Sequence, residues 1–128
     1  MKYGKYVLTF VTVFLFCMIS NASAITKTSF SIETGASWAK DIASTAHKIE
    51  GNHFSAVEWT YSNKASHKMW FRVIDDFGKV RGSGLLNYLS TDAFQTNLKY
   101  DDNLNYVLEA KREHITNPRT LVKGKWTP

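Results

Sequence analysis

The 128-residue chain is 44% hydrophobic and carries a net charge of +5, from 16 basic and 11 acidic side chains. Its single cysteine, Cys17, excludes an intramolecular disulfide framework. The basic side chains form no dense cluster, so the charge does not indicate a nucleic-acid-binding protein. A chain of this length is expected to form one domain around one hydrophobic core.

The first 24 residues have the features of a secretory signal peptide. Lys2 and Lys5 supply a positive start, an uncharged apolar run follows, and small residues precede a cleavage point after Ala24. The apolar run of about 14 residues is shorter than the ~20 residues that a membrane-spanning helix needs. We therefore expect a secreted, cysteine-free domain over residues 25–128. Its net charge is +3, because Lys2 and Lys5 leave with the signal peptide.

The first predicted element of that domain is a strand over residues 26–33. Phe30 and Ile32 share one face of this segment, and Ser29 and Ser31 share the other. Alternation with a period of two is typical of a strand with one buried face.

The next segment, residues 36–49, fits two structures. Trp38, Ile42 and Ala46 recur at helical spacing, and Ser37 could cap a helix. A loop followed by a strand from about Ile42 fits equally, and β-branched residues support it. We favour the strand, because the neighbouring segments are all predicted to be strands.

The central stretch, Phe54–Ile74, predicts a β-hairpin with a polar loop over roughly residues 62–67. Placing Trp59 opposite Phe71 also places Glu58 opposite Arg72 on the outer face. The predicted inner rows are Val57, Trp59 and Tyr61 in the first arm, and Met69, Phe71 and Val73 in the second.

Turns and short strands alternate after this hairpin. Residues 75–78 have turn composition, and a short strand over residues 79–81 is predicted to be broken by Gly82-Ser83-Gly84. Alternation then resumes over residues 94–100 and predicts another strand.

The last segment predicts a second hairpin. Pairing Tyr106 with Trp126 places Glu109 opposite Lys123 on the outer face. The same register places Gly124 opposite the inner row, where a glycine leaves room for a large neighbour or marks a bulge. The predicted inner rows are Tyr106, Leu108 and Ala110 in one arm, and Val122, Gly124 and Trp126 in the other.

Seven or eight short strands with polar turns indicate an all-β fold, either a sandwich or a small barrel. We favour a single small antiparallel β-sandwich over residues 25–128.

The segments VEWTYSN, MWFRVIDDFG and YVLEAKRE, with the closing VKGKWTP, resemble small exported proteins of Gram-positive bacteria that are grouped as domains of unknown function. Those proteins share a signal peptide, a cysteine-free β-rich body and a final strand ending in Gly-x-Trp, which Gly124-Lys125-Trp126 matches. The resemblance implies export from a Gram-positive bacterium and brings no catalytic residues. Some small β-rich exported proteins of such bacteria are bacteriocins, and this analogy supplies an alternative function.

Catalytic and metal-binding patterns are incomplete in this sequence. His47 and His53 flank a turn, but two ligands do not close a zinc site. Oxygens at Asp101, Asn103 and Asn105 alternate as in a calcium loop, yet the following glycine and the closing glutamate are missing. We therefore expect no enzyme activity, no metal site and no cofactor.

Trp70 is the candidate binding residue, because it falls on the polar row of its strand beside Lys68 and Arg72. A tryptophan beside cations on an outer sheet face can stack on a sugar ring or hold a partner. The alternative is that another sheet, or residues 85–89, covers this face.

We predict a secreted, non-enzymatic binding protein at the bacterial cell envelope. Its expected partner is an anionic wall polymer or a membrane surface, and not nucleic acid. A bacteriocin-like toxin is the alternative.

Overall fold

The computed structural model describes residues 27–48, 53–64, 67–99 and 104–128. The predicted signal peptide, residues 1–24, lies outside the described residues. Eight strands are present in the described part: β1 (Thr28–Thr34), β2 (Ala39–Lys40), β3 (Phe54–Ser62), β4 (Met69–Asp75), β5 (Val80–Leu86), β6 (Thr91–Gln95), β7 (Tyr106–Arg112) and β8 (Thr120–Thr127). A short 3-10 helix (Ile42–Ser44) is the other regular element there. None of the described helical structure has the length and apolar character needed to cross a membrane.

The eight strands form two four-stranded antiparallel sheets. Sheet A has the order β1-β8-β3-β6, and sheet B has the order β2-β7-β4-β5. The prediction of an all-β fold is therefore confirmed. Among the described strands, β4 and β5 are the only two consecutive strands that pair with each other. Every other pairing joins strands that are distant in the sequence.

The predicted central hairpin is wrong, because its two arms lie in different sheets. β3 pairs with β6 and β8, whereas β4 pairs with β5 and β7. Trp59 and Phe71 do meet, but across the core, with ring centroids 5.8 Å apart in an edge-to-face arrangement. Alternation specifies which face of a strand is buried, and two buried faces can meet by stacking sheets as well as by pairing strands.

The second predicted hairpin fails for the same reason, since β7 lies in sheet B and β8 in sheet A. Gly124 lies opposite Phe30 on β1 and Trp59 on β3, not opposite β7. A Cβ atom at Gly124 would collide with the backbone carbonyl oxygen of Glu58. The pairing of β3 with β8 shifts register just beyond this point, between Trp59 and Tyr61. The extra residue of this shift is Thr60 in β3, so Gly124 is not itself the bulged residue; it lies where the backbones of β8 and β3 approach closely.

That register shift also corrects the predicted inner row of β3. Val57 and Trp59 are buried, but Tyr61 is 45% exposed. Its ring lies 5.3 Å from Lys123 Nζ on the outer side of sheet A. A bulge places an extra residue in one strand, so the alternation of faces changes beyond it.

The strand favoured within residues 36–49 is also wrong over its described part. Only Ala39–Lys40 forms a strand, and the 3-10 helix follows it. Asp41, not Ser37, caps that helix by accepting a hydrogen bond from the backbone N–H of Ala43. Ala46 then makes an isolated bridge to Tyr106.

The predicted break at Gly82-Ser83-Gly84 is absent, because these residues lie inside β5. Gly82 and Gly84 pair with Val73 and Phe71, so they belong to the core-facing row of the strand. A Cβ atom at Gly84 would lie 2.8 Å from Phe94 Cβ. Glycines here let the edge of sheet B approach β6 of sheet A.

The core lies between the facing sides of the two sheets. Its buried members from sheet A and its flank are Phe30, Ile32, Val57, Trp59, Phe94, Leu98, Val122 and Trp126, and those from sheet B are Met69, Phe71, Val73, Leu86, Tyr106, Leu108 and Ala110. Phe30 and Phe71 meet edge to face across this interface, with centroids 5.9 Å apart.

Asp75 organises the turn between β4 and β5. Its carboxylate accepts hydrogen bonds from the backbone N–H groups of Phe77 and Lys79, at 2.9 Å each, and pairs with Arg81 Nη2 at 2.9 Å. Burial opposes ionisation of Asp75, but the hydrogen bonds from Lys79, Arg81 and Phe77 outweigh burial and hold its pKa below the ordinary value.

Candidate functional site

β4 places the predicted binding residues on the side of sheet B that faces away from the core. Met69, Phe71 and Val73 point into the core, so Trp70 and Arg72 lie on the opposite face. Both side chains are partly exposed, and Lys68 is exposed just before the strand. The structure therefore brings Trp70 and Arg72 together on one sheet face, as the alternation predicted.

The register of sheet B sets the neighbours of Trp70. Lys111 on β7 lies opposite Trp70 on one side, and Leu85 on β5 lies opposite it on the other. On an antiparallel sheet, directly opposed residues of one face are in contact range. Trp70 thus has a cation on one flank and an aliphatic side chain on the other.

Arg72 has a different partner from the one predicted. It lies opposite Glu109 on β7, and its Nε donates a hydrogen bond of 2.7 Å to Glu109 Oε1. The predicted partner, Glu58, instead pairs with Lys27 at 2.5 Å on sheet A. Glu109 is nearly buried, with 8% of its side chain exposed, so the ion pair fixes the position of the guanidinium group.

Trp38 completes this surface and was not predicted to belong to it. Ala39 pairs with Ala110 on β7, which places the preceding residue beside Lys111. The ring centroid of Trp38 lies 4.2 Å from Arg72 Cζ and 5.3 Å from Lys111 Nζ. These distances are within the range of a cation–π interaction, which is about 6 Å.

We name this surface the tryptophan–cation face; it consists of Trp38, Lys68, Trp70, Arg72 and Lys111. Neither indole N–H of the face donates a hydrogen bond to another described residue. The face therefore offers aromatic rings, free N–H donors and cations to a ligand from solvent.

The other candidate residues from the sequence, histidines and acidic side chains, do not come together in the described part of the structure. Among the described residues, no group of three or more His, Cys, Asp or Glu side chains lies close enough to hold a metal ion. His47 Nδ1 lies 2.9 Å from the carbonyl oxygen of Leu104, so this ring has a structural partner. Asp76 accepts a hydrogen bond from the backbone N–H of Asn105. Residues 101–103 lie outside the described part.

Comparisons with known proteins yield no relative: no protein-family model, no curated protein and no solved structure matches the chain.

Proposed function

We propose that this protein is a secreted, non-enzymatic binding module that attaches to anionic polymers of the bacterial cell envelope through the tryptophan–cation face. The observation that carries the proposal is Arg72, which is stacked on Trp38 and held by Glu109 beside the partly exposed Trp70. Wall polymers combine sugar rings with phosphate or carboxylate groups, and these are the groups that indoles and guanidinium groups bind.

The remaining features support the same proposal. Two sheets around a shared core suit the predicted β-sandwich, and a sandwich presents a broad outer sheet face without needing a deep cavity. The leader-like composition of residues 1–24 supports export, and the resemblance to exported Gram-positive proteins supports the envelope as the place of action.

The test is retention of the purified protein on isolated Gram-positive cell walls. Trp70→Ala should reduce retention at least about tenfold, equivalent to about 1.4 kcal/mol of binding free energy. Its unfolding free energy should change by no more than about 1 kcal/mol. Phe77→Ala is the matched control, because Phe77 is 86% exposed in the turn after β4 and outside the face.

A charge variant tests the cationic part of the face. Lys111→Ala should weaken retention and reduce its sensitivity to salt, because one screened ionic contact is lost. Lys99→Ala, an exposed cation in the segment after β6, should leave retention unchanged. Absence of retention by the wild-type protein would contradict the proposal. Killing of indicator bacteria by that same protein would then favour the bacteriocin-like alternative.

A further inference from the structure

A groove of about 490 Å³ lies beside the tryptophan–cation face, at the end of β1. Residues 33–39 and Arg119 line it. Its volume falls within the roughly 300–1,000 Å³ that small-molecule sites occupy. Trp38 borders both the groove and the tryptophan–cation face. The charged residues of the groove lie elsewhere: Glu33 is in β1 of sheet A, and Arg119 is in the loop between β7 and β8.

The backbone around the groove is fixed by hydrogen bonds. Thr34 Oγ1 donates to the carbonyl oxygen of Thr120 at 3.0 Å, and the backbone N–H of Thr120 lies 3.3 Å from the same hydroxyl oxygen. Both threonines are buried. Thr120 Oγ1 also donates to the carbonyl oxygen of Pro118 at 2.9 Å, which braces the chain on both sides of Arg119.

Two opposite charges lie in this groove without pairing. Glu33 lies opposite Leu121 in the β1–β8 register, and Arg119 directly precedes β8; both residues line the groove. Both side chains are exposed, and neither makes an ion pair or a side-chain hydrogen bond with another described residue.

We propose that this groove binds a zwitterion, namely a free amino acid or a dipeptide. The ligand carboxylate binds the Arg119 guanidinium, the ligand ammonium binds the Glu33 carboxylate, and the ligand side chain packs on Trp38. A guanidinium group matches a carboxylate with two parallel hydrogen bonds. A simple anion is disfavoured by Glu33 and a simple cation by Arg119, so the groove selects a ligand that carries both charges.

The first test is a titration of the purified protein with alanyl-alanine. NMR monitors the chemical shifts of the Trp38 indole N–H and the Gly35 backbone N–H at each ligand concentration. N-acetyl-alanyl-alanine lacks the ammonium, and alanyl-alanine amide lacks the carboxylate. Alanyl-alanine should bind at least tenfold more tightly than either blocked compound. No shift at these two signals with millimolar alanyl-alanine, or equal affinity for all three compounds, would overturn the assignment.

Two charge variants then assign each contact. Glu33→Gln should abolish the preference for the free amine and keep the preference for the free carboxylate. Arg119→Gln should have the reverse pattern, and Arg119→Lys should weaken binding while keeping both preferences. Lys99→Gln controls for net charge and should bind as wild type. If Glu33→Gln still discriminates against the acetylated compound, the assignment of the ammonium contact is wrong.

These variants also separate the groove from the proposed envelope binding, which the zwitterion site does not require. Glu33→Gln should retain wild-type binding to cell walls, because Glu33 lies outside the tryptophan–cation face. Trp70→Ala should retain wild-type affinity for alanyl-alanine. Thermal unfolding of each variant confirms that the fold is intact, as expected for exposed side chains.

Discussion

The four tryptophans of the chain divide into two pairs with different roles. Trp59 and Trp126 are buried, and their indole N–H groups donate internally, to the carbonyl oxygens of Tyr61 at 2.8 Å and Ser44 at 3.0 Å. Trp38 and Trp70 lie on the outer face of sheet B and keep their N–H groups for solvent or ligand. A buried indole is stable only if its N–H is paired, so this difference separates structural tryptophans from candidate binding residues.

Trp59→Ala should lower the unfolding free energy by roughly 3–5 kcal/mol, because it removes a large ring from the core and leaves a cavity. The ring contacts Phe71 across the core and Tyr88 at 5.7 Å between centroids. Tyr61→Ala is the matched control on the same strand and should cost less than about 1 kcal/mol, because Tyr61 is half exposed. Chemical denaturation measures both values, and equal losses would contradict the face assignment.

Gly124→Ala should destabilise the protein by about 3 kcal/mol, at the upper end of the usual cost of overpacking. The added methyl group would meet the backbone carbonyl of Glu58, and a backbone atom cannot rotate away as a side chain does. Gly35→Ala is the control, because its Cβ would have only the backbone nitrogen of Ser37 nearby, at 4.0 Å. A denaturation midpoint for Gly124→Ala equal to that of Gly35→Ala would refute this close approach.

At the scale of elements, alternation predicted most of the core-facing residues, with Tyr61 as an exception, but not which strands pair. Phe30, Ile32 and Trp59 are buried as expected. Both predicted hairpins are wrong, because matched apolar rows fit facing sheets as well as neighbouring strands. The choice between these depends on the three-dimensional course of the loops, which a row of alternating residues does not encode.

Only part of the candidate site was predicted, because alternation is a local signal whereas strand pairing is not. Trp70 and Arg72 follow from the alternation of β4 alone. Trp38 could not be placed from local sequence, because its position depends on the pairing of Ala39 with Ala110, far along the chain. Its helical spacing with Ile42 was misleading, since the segment forms a two-residue strand and a single 3-10 turn.

The β4–β5 turn should make stability depend on pH in the acidic range. The folded-state pKa of Asp75 is lowered, so its contribution is complete above the unfolded value of about 3.9 and is lost as the pH falls through the folded value. Asp75→Asn should therefore reduce stability at pH 7 and flatten the decline below about pH 4. Urea unfolding at several pH values measures this slope. Asp92→Asn, at an exposed position of β6, should behave as wild type, and an unchanged slope in Asp75→Asn would contradict the role of the turn.

At the scale of the whole molecule, the signal peptide predicted from the sequence implies that the mature protein is shorter than the translated chain. Mass spectrometry of culture supernatant should detect a chain that begins at Ile25, because signal peptidase cleaves after small residues such as Ala24. Ala24→Leu should impair this cleavage and leave the protein with the cells. Detection of intact Met1 in membrane-retained wild-type protein would refute the cleavage prediction.

The position of β8 in sheet A has a consequence for when this protein folds. β8 lies between β1 and β3, and it is the strand with which β1 pairs. Residues 28–34 must therefore wait for residues 120–127 before they gain a paired neighbour, and such distant pairings are slow to form. During synthesis the chain stays without a complete sheet until almost all of it has been made. Under the proposed export in an unfolded state, this delay would let folding be completed only after the chain has crossed the membrane.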